Sequence, residues 1–225
     1  MQVILLGPPG VGKGTQAERI ASEFGIAHIS TGDMFREAVA AGTELGRTAR
    51  EYMAAGALVP DEIVIGMVEE RLGRDDTRKG FLLDGFPRTI AQAEALERLL
   101  QTLGRPVTAV VDLRADEELL ITRLSGRRVC ASCGATYHVQ NKPPKQEGVC
   151  DLCGGEVRQR EDDRPEAIRE RLREYAAKTA ALTEHYGRLG LLESIDASGT
   201  PEEVFGLVSE ALIRRAGVGT HQVAG

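Results

Sequence analysis

Tryptophan is absent from the sequence, and other aromatic residues are few. Among 225 residues there are 4 tyrosines and 5 phenylalanines, and 28 basic residues stand against 34 acidic ones, a net charge of −6. Proteins that bind single-stranded nucleic acid typically combine a basic groove with aromatic side chains on which bases stack. The composition therefore argues against nucleic acid as a partner, and the negative charge argues against broad attraction to anionic membranes. A phosphate ligand needs cations at particular positions.

Long apolar runs are also missing. No stretch approaches the roughly 18 apolar residues of a membrane-spanning helix, and the opening residues MQVILLGPPG lack the basic and apolar segments of a signal peptide. We therefore expect a cytosolic protein without a membrane partner, in which thiols stay reduced. The length suffices for one large domain or for one domain with insertions.

Short apolar runs alternate with helical patterns along most of the chain. The runs are QVILL at 2–6, FLLDGF at 81–86, AVVDL at 109–113 and LLESIDA at 191–197. This alternation predicts an α/β fold with a parallel sheet covered on both faces. The helical patterns predict one helix over 116–127, with Arg123 and Arg127 on the same face, and one continuous helix over 164–190.

Two segments interrupt the alternation. Residues 31–73 carry helical patterns without an evident strand and are punctuated by glycine, which predicts a small helical insertion. From about residue 128 to residue 163, glycine, proline, cysteine and short strand-like pieces replace the helical periodicity. We interpret this second segment as a separate small module.

The stretch GPPGVGKGT at 7–15 nearly matches the phosphate-binding loop G-x-x-x-x-G-K-[ST]. Its backbone amides and the following helix N-terminus would cradle the phosphates of a nucleotide, and Lys13 would bridge the terminal ones. The alternative is a glycine-rich turn without a ligand. The hydroxyl comes one position late, at Thr15, because Gly14 occupies the place of the residue that usually ligates magnesium. This departure points to phosphoryl transfer between small molecules.

The form GKGT resembles the nucleoside monophosphate kinases and especially the adenylate kinases. Further segments resemble that family in its own order: STGDMFR at 30–36, LVPDEIV at 58–64, FLLDGFPRT at 81–89 with Gln92, GRRV at 126–129, and RPEAIRERL at 164–172. The resemblance covers roughly residues 1–213. It implies a monomer that uses magnesium and catalyses ATP + AMP = 2 ADP in adenine nucleotide homeostasis.

The resemblance also implies an architecture. It is a three-layer α/β fold of the P-loop type with a parallel five-stranded sheet, a helical AMP-binding insertion and a small zinc-containing lid. The expected parts are a core of 1–30, 60–127 and 164–216, the insertion at 31–59, the lid at 128–163 and a flexible tail at 217–225.

Site residues follow from the resemblance position by position. The expected catalytic cations are Lys13, Arg88, Arg127, Arg160 and Arg171. The expected ATP contacts are Gly10, Val11, Gly12, Lys13, Gly14, Thr15, Arg123, Arg127, Thr136, Tyr137 and Gly199. The expected AMP contacts are Thr31, Arg36, Ala57, Leu58, Val59, Gly85, Phe86, Pro87, Arg88, Gln92, Arg160 and Arg171.

Particular roles accompany these positions. Arg123 would stack on the adenine of ATP, and Thr31 and Gln92 would read the adenine of AMP. Asp84 would hold magnesium through water, with the capping of a turn as the alternative. Asp162 and Asp163 would act in the hinge or in lid closure, or serve as acids at a helix N-terminus.

The four cysteines form two close pairs. Cys130 and Cys133 are one C-x2-C pair, Cys150 and Cys153 are the other, and sixteen residues lie between the pairs. This spacing is typical of structural zinc sites in which four thiolates leave no position open for water. Such an ion would fold a lid that is too small for a core of its own. The alternatives are disulfides or reactive thiols, and His138 is interpreted as a surface residue.

Other functions stay open at this point. The acceptor could be UMP, CMP or GMP, or the donor could be GTP, since the phosphate-binding loop and the lid would look alike. A nucleotide-binding switch without turnover and a nucleic-acid module built on the zinc knuckle are the other classes. A switch needs only one nucleotide pocket, whereas Arg36, Arg88 and Gln92 furnish a second.

Overall fold

The computed structural model of the chain describes residues 1–217. Its strands, numbered along the chain, are β1 (Gln2–Leu6), β2 (Ala27–Ser30), β3 (Phe81–Asp84), β4 (Ala109–Arg114), β5 (Arg127–Cys130), β6 (Thr136–His138), β7 (Val157–Arg158) and β8 (Leu192–Asp196). Its helices are α1 (Lys13–Phe24), α2 (Thr31–Ala40), α3 (Glu44–Ala55), α4 (Asp61–Leu72), α5 (Ile90–Thr102), α6 (Glu117–Gly126), α7 (Pro165–Glu174), α8 (Ala181–Arg188) and α9 (Pro201–Ala216).

The central sheet has five strands in the order β2-β3-β1-β4-β8, and every neighbouring pair is parallel. This confirms the predicted parallel five-stranded sheet. The strand β2 has the sequence AHIS, which is too polar and too short to predict a strand, and it forms one edge of the sheet. Because β1 lies in the middle, the loop after it opens between the ends of β3 and β4.

Successive residues of a strand point to opposite faces, so the sheet needs an apolar cover on both sides. On β1, Ile4 and Leu6 belong to a buried core with residues of α4, α5 and α8. Val3 and Leu5 belong to a second core with residues of α1 and α9. The fold therefore has three layers, as predicted.

Two smaller units interrupt the sheet-forming sequence. Helices α2 and α3 lie between β2 and α4, and β5, β6 and β7 form a separate antiparallel sheet in the order β6-β5-β7. The exact divisions between core, insertion and lid stay predictions.

Of the tail expected at 217–225, only Gly217, which caps α9, lies within the described residues. Within residues 1–217, no helix combines the length and the apolar character needed to cross a membrane.

Helix α6 ends earlier than the sequence predicts. Its last residue is Gly126, and Arg127 has extended backbone angles and begins β5. The prediction that Arg123 and Arg127 share a helix face is therefore wrong. The ring of His138 occupies the space where a side chain at position 126 would lie, and Arg127 pairs with His138 across the small sheet. This pairing across the sheet turns the chain out of the helix.

The helix predicted over 164–190 is also interrupted. Between α7 and α8 the chain forms one π-helical turn, Tyr175–Thr179. At the end of this turn the Thr179 hydroxyl donates a hydrogen bond of 3.0 Å to the backbone oxygen of Arg88. Single π turns in α-helices are frequent at functional sites. Here the turn connects the helix that carries Arg171 to the segment that carries Arg88.

Gly46 allows the start of α3 to approach the end of α2. A Cβ at this position would overlap the backbone carbonyl of Ala38, which no rotamer change can relieve. We expect Gly46→Ala to destabilise the fold by about 2 kcal/mol, as overpacked sites do. At 2–4 °C per kcal/mol for a chain of this size, the melting temperature should fall by about 4–8 °C.

The control for this prediction is Gly66→Ala. Gly66 lies inside α4 with nothing near its missing side chain, so alanine should stabilise the helix by about 0.5–1 kcal/mol. Thermal unfolding followed by circular dichroism measures both effects. Equal melting temperatures for the two variants would contradict the close approach of α2 and α3.

Candidate active site

The phosphate-binding loop, residues 7–15, follows β1 at the edge where the parallel strands end. Ligands bind at this edge in open α/β sheets. Gly7 has φ 138° and Gly10 has φ 84°. A Cβ on Gly7 would lie 2.6 Å from the Leu113 oxygen, and one on Gly10 would lie 2.8 Å from the Leu120 oxygen. Only glycine fits at both positions, so the loop can turn back tightly over the sheet.

Lys13 spans this loop. Its Nζ donates to the backbone oxygens of Gly7 at 2.7 Å and Pro8 at 3.0 Å. Loss of hydration lowers the pKa of Lys13 to about 8; the charge of Asp84 opposes this shift and that of Arg88 adds to it. The ammonium group is therefore poorly compensated by the protein, and phosphate oxygens are suitable partners for it.

Asp84 is the last residue of β3, in register with Leu5 of the neighbouring strand β1. A Cβ at Gly14 would lie 3.8 Å from Asp84 Oδ2, so this carboxylate faces the start of α1. His28 Nε2 lies 3.8 Å from the same oxygen. A carboxylate oxygen beside the phosphate-binding loop suits a hard cation such as magnesium or its water ligands.

A second depression, the insertion cavity, lies between α2, α3, the segment after β3 and α7. It has a volume of about 630 Å³, part of it open to solvent. Nine of the predicted AMP contacts line it: Thr31, Arg36, Ala57, Leu58, Val59, Gly85, Arg88, Gln92 and Arg171. Phe86 and Pro87 do not line it and are buried, and Arg160 does not line it either.

Several wall residues are missing from the sequence prediction. They are Gly32, Phe35, Met53, Gly56, Val64 and Asp162. Thr31 and Phe35 are four residues apart and share one face of α2, so helical spacing from Thr31 was a signal for Phe35. No local pattern connects Met53 or Asp162 to this cavity.

Hydrogen bonds fix the floor of the insertion cavity. Thr31 Oγ1 and Arg88 Nε both donate to the backbone oxygen of Gly85, at 2.9 Å and 2.8 Å. Arg36 pairs with Asp33 on the same helix. The guanidinium groups of Arg36 and Arg88 therefore reach this cavity from different elements, a geometry that suits paired hydrogen bonds to a phosphate.

Five guanidinium groups that act on one another through their charges form the arginine cluster, and only the first three line the cavity: Arg36, Arg88, Arg171, Arg127 and Arg160. Loss of hydration and then the charge of Arg171 lower the pKa of Arg88 to about 10. Loss of hydration and then the charge of Arg127 lower the pKa of Arg160 to about 10. The neighbouring positive charges add to the loss of hydration in both cases, so an anion would be a favourable partner for this cluster.

Two carboxylates hold part of this cluster. Asp163 is 0% exposed and accepts from Arg127 Nε at 2.7 Å and from Arg171 at 3.2 Å. Asp162 pairs with Arg171 at 3.0 Å. Both acids therefore do more than cap α7, since they connect the return of the small sheet to α7. Their role in lid closure stays a prediction.

Arg123 lies on the other side of the phosphate-binding loop. Its guanidinium donates to the backbone oxygens of Ala197 at 2.9 Å, Gly199 at 3.3 Å and Val11 at 3.4 Å. The structure thus brings together three of the predicted ATP contacts. Bonds made in the guanidinium plane leave its faces free for stacking, which suits an adenine.

The small sheet places the other two predicted ATP contacts differently. Thr136 is exposed, whereas Tyr137 is buried, with its hydroxyl 3.3 Å from Cys150 Sγ and accepting from the Asp151 amide at 2.8 Å. The ring of Tyr137 therefore belongs to the core of the small sheet, and only its backbone could contact a nucleotide.

His138, interpreted as a surface residue, is partly exposed and also has a structural role. Its Nδ1 accepts hydrogen bonds of 3.2 Å from the amides of Gln140 and Asn141, and its ring packs over Gly126. It therefore supports the turn between α6 and β5.

The four cysteine sulfurs lie within 4.8 Å of one another. Cys130 and Cys153 are 3.5 Å apart at sulfur, as are Cys133 and Cys150. A disulfide needs about 2.05 Å, whereas four thiolates about 2.3 Å from one tetrahedral ion are about 3.8 Å apart. The group therefore fits a metal ion and does not fit disulfides.

The two cysteine pairs have the same backbone structure. Gly134 N–H donates to the Cys130 oxygen at 3.1 Å, and Gly154 N–H donates to the Cys150 oxygen at 2.9 Å. Both glycines have positive φ, 75° and 72°, which glycine adopts without strain. The local sequence C-x2-C-G thus builds each half of the site.

Comparisons with known proteins give one consistent result. A family model described as adenylate kinase matches residues 5–191. The adenylate kinase of Carboxydothermus hydrogenoformans is 58% identical over 212 residues, which are 94% of this chain and 99% of the relative. That of Geobacter sp. (strain M21) is 55% identical with the same shares. That of Archaeoglobus fulgidus is 53% identical over 91% of this chain and 94% of the relative.

Proposed function

Because the chain belongs to the adenylate kinase family and catalyses ATP + AMP = 2 ADP, we propose a role for each part of the site. The phosphate-binding loop holds the phosphates of ATP, and the insertion cavity holds AMP. The arginine cluster lies between them. The observation that carries this proposal is the position of Arg88, which lines the cavity while its charge acts on Lys13.

Phosphoryl transfer needs two aligned substrates and cations around the moving group, and it needs no strongly basic side chain. We assign Arg36 and Arg88 to the AMP phosphate. Lys13, Arg127, Arg160 and Arg171 neutralise charge on the phosphoryl group as it passes from ATP to AMP. Asp162 and Asp163 offset part of their mutual repulsion, and phosphate would offset more of it, which favours the state with both substrates bound.

Magnesium accompanies ATP in this reaction and offsets phosphate charge. Asp84 is the residue proposed to hold it, through water, since Gly14 has no hydroxyl to offer. The orientation of Asp84 toward the start of α1 supports this assignment. Arg123, Gly199, Thr136 and the Tyr137 backbone are proposed to enclose the ATP base.

The four-cysteine group is proposed to hold one structural zinc ion. The separation of the sulfurs and the all-thiolate ligand set support zinc, with no position left for a catalytic water. Residues 128–163 would then close as a lid over ATP and exclude water. A monomeric, cytosolic enzyme remains the prediction from the sequence.

Replacing Arg88 by glutamine tests the assignment of the cavity. Loss of a charged hydrogen bond to phosphate costs about 1.5–3 kcal/mol, so the dissociation constant for AMP should rise by about 10- to 100-fold. ATP affinity should stay within about threefold. Isothermal titration with each nucleotide measures both constants.

Arg98→Gln is the control, because Arg98 lies on the exposed side of the following helix α5. It should leave AMP affinity unchanged. If Arg88→Gln weakened ATP and AMP equally, or neither, the insertion cavity would not be the AMP site.

A further inference from the structure

Asp61 lies at the start of α4, behind the insertion cavity, and does not line it. Its Oδ1 accepts a hydrogen bond of 2.7 Å from Gln92 Nε2, and its Oδ2 accepts one of 2.8 Å from Thr89 Oγ1. At the other end of the Gln92 amide, Oε1 accepts a hydrogen bond of 2.7 Å from the Arg88 backbone N–H. The Gln92 side chain, only 1% exposed, is therefore held at both ends.

These two partners permit only one orientation of the Gln92 amide. The oxygen and nitrogen ends of an amide have nearly the same shape, so neighbours decide which way it points. A backbone N–H only donates, and an ionised carboxylate only accepts. If the amide rotated by half a turn, two donors would meet at Arg88 and two acceptors would meet at Asp61.

The bonds to Asp61 and Arg88 leave one N–H and one oxygen lone pair of the Gln92 amide unused. Gln92 lines the insertion cavity, so these groups are available to a base there. A 6-amino purine presents a ring-nitrogen acceptor next to an amino donor. A 6-oxo purine presents the reverse order, an N–H donor next to a carbonyl acceptor. The amide orientation therefore distinguishes the two classes.

We propose that Asp61 is a specificity-determining positioning residue, which locks the Gln92 amide in the orientation that accepts 6-amino purine monophosphates and rejects 6-oxo purine monophosphates. This inference rests on the proposed function, in which the cavity holds AMP and Gln92 contacts its base. Asp61 acts through Gln92 and touches no substrate. A site built around hydrogen bonds discriminates strongly, because the wrong base leaves buried polar groups unpaired.

Asp61 also has a simpler role at the N-terminus of α4, where acids stabilise the helix dipole. Glu62 shares that first turn, is exposed, and has no part in the contacts to Gln92. The variant Glu62→Gln removes the same charge from the same helix end. It is therefore the matched control for Asp61→Asn.

The test measures kcat and KM for AMP and for IMP, a 6-oxo purine monophosphate, with ATP saturating. In Asp61→Asn the introduced amide can donate or accept, so only the Arg88 N–H still opposes the rotated Gln92 amide. We expect the AMP-to-IMP ratio of kcat/KM to fall by about tenfold or more. The KM for AMP should rise and that for IMP should fall, with kcat for AMP and KM for ATP within about threefold. Asp61→Glu keeps an acceptor-only carboxylate and should retain most of the ratio.

A second pair of variants separates the failure of this inference from that of the proposed function. Gln92→Ala should lower the AMP-to-IMP ratio, and Asp61→Asn should have no further effect in the Gln92→Ala background. If Gln92→Ala leaves the ratio unchanged, the proposed base contact is wrong. If Gln92→Ala lowers the AMP-to-IMP ratio but folded Asp61→Asn does not, the proposed role of Asp61 is wrong. The same holds if Glu62→Gln lowers the ratio as much as Asp61→Asn does. In the Gln92→Ala background Asp61 has no Gln92 amide to orient. The comparison of the double variant with Gln92→Ala alone therefore measures any effect of Asp61→Asn on stability by itself.

Discussion

Lys13→Met is expected to lower kcat by about 1,000-fold or more. One preorganised hydrogen-bond donor contributes about 100- to 1,000-fold to such a rate, and a cationic side chain at the transferring phosphoryl group contributes about 1,000-fold or more. Within residues 1–217, the hydrogen bonds of the Lys13 ammonium group go to backbone oxygens of the loop, and the group has lost hydration. Its charge is therefore available to phosphate. Methionine keeps the apolar stem and removes the charge, and steady-state ADP formation measures the loss.

The matched control is Lys79→Met, because Lys79 is exposed in the turn before β3. It should leave kcat unchanged, and both variants should keep the melting temperature of the parent protein. The pKa of Lys13, about 8, also predicts how ATP affinity changes with pH. ATP affinity of the free enzyme should weaken as the pH rises through 8, because the ammonium group loses its proton, and Lys13→Met should lose this dependence. A kcat for Lys13→Met within tenfold of the parent would contradict the proposed role.

Removing two of the proposed metal ligands, one from each cysteine pair, is expected to unfold the small sheet. The buried hydrophobic residues of this unit are Cys130, Tyr137, Cys150 and Val157, so two of these four belong to the proposed metal site. Without the ion little apolar burial remains to offset the entropy of ordering the segment. In the variant Cys130→Ser with Cys153→Ser, kcat/KM for ATP should fall by about 100-fold, because Arg127 and Arg160 would lose their positions.

The matched control is Cys153→Asp, which retains an anionic ligand that zinc accepts. Zinc content by mass spectrometry should be one per chain in the parent and in Cys153→Asp, and close to zero in the double serine variant. Limited proteolysis should cut the double variant within 128–163 and spare the sheet core. A metal-free double variant that resists the protease and keeps its ATP kinetics would show that the lid folds without metal.

The chemistry of the site was predictable because its signals are local. The phosphate-binding loop, the two C-x2-C-G pairs and the alternation of apolar runs with helical patterns each lie in contiguous residues. Backbone angles and the 2- and 3.6-residue periods act over the same short range. The order of segments that resemble adenylate kinases then connected these local signals to one reaction, and the family comparisons confirm it.

Contacts between distant parts of the chain were not predictable in this way. Gln92 was expected to read the adenine of AMP, and its amide is also bonded to Asp61, 31 residues away, which the sequence did not indicate. Thr31 reaches Gly85 across 54 residues, and Thr179 reaches Arg88 across 91. No spacing rule connects such pairs, because they meet only after the sheet and its helices have packed.

The sequence by itself determined the three-layer fold, the nucleotide loop, the four-cysteine group and the class of reaction. Tertiary structure alone decided where α6 ends, where the π turn falls, that Tyr137 is buried and which way the Gln92 amide points. The physical reason is range: propensity, turn chemistry and ligand spacing act between neighbours in the chain. The orientation of a buried polar group depends on partners brought together by folding, which must satisfy each donor with an acceptor.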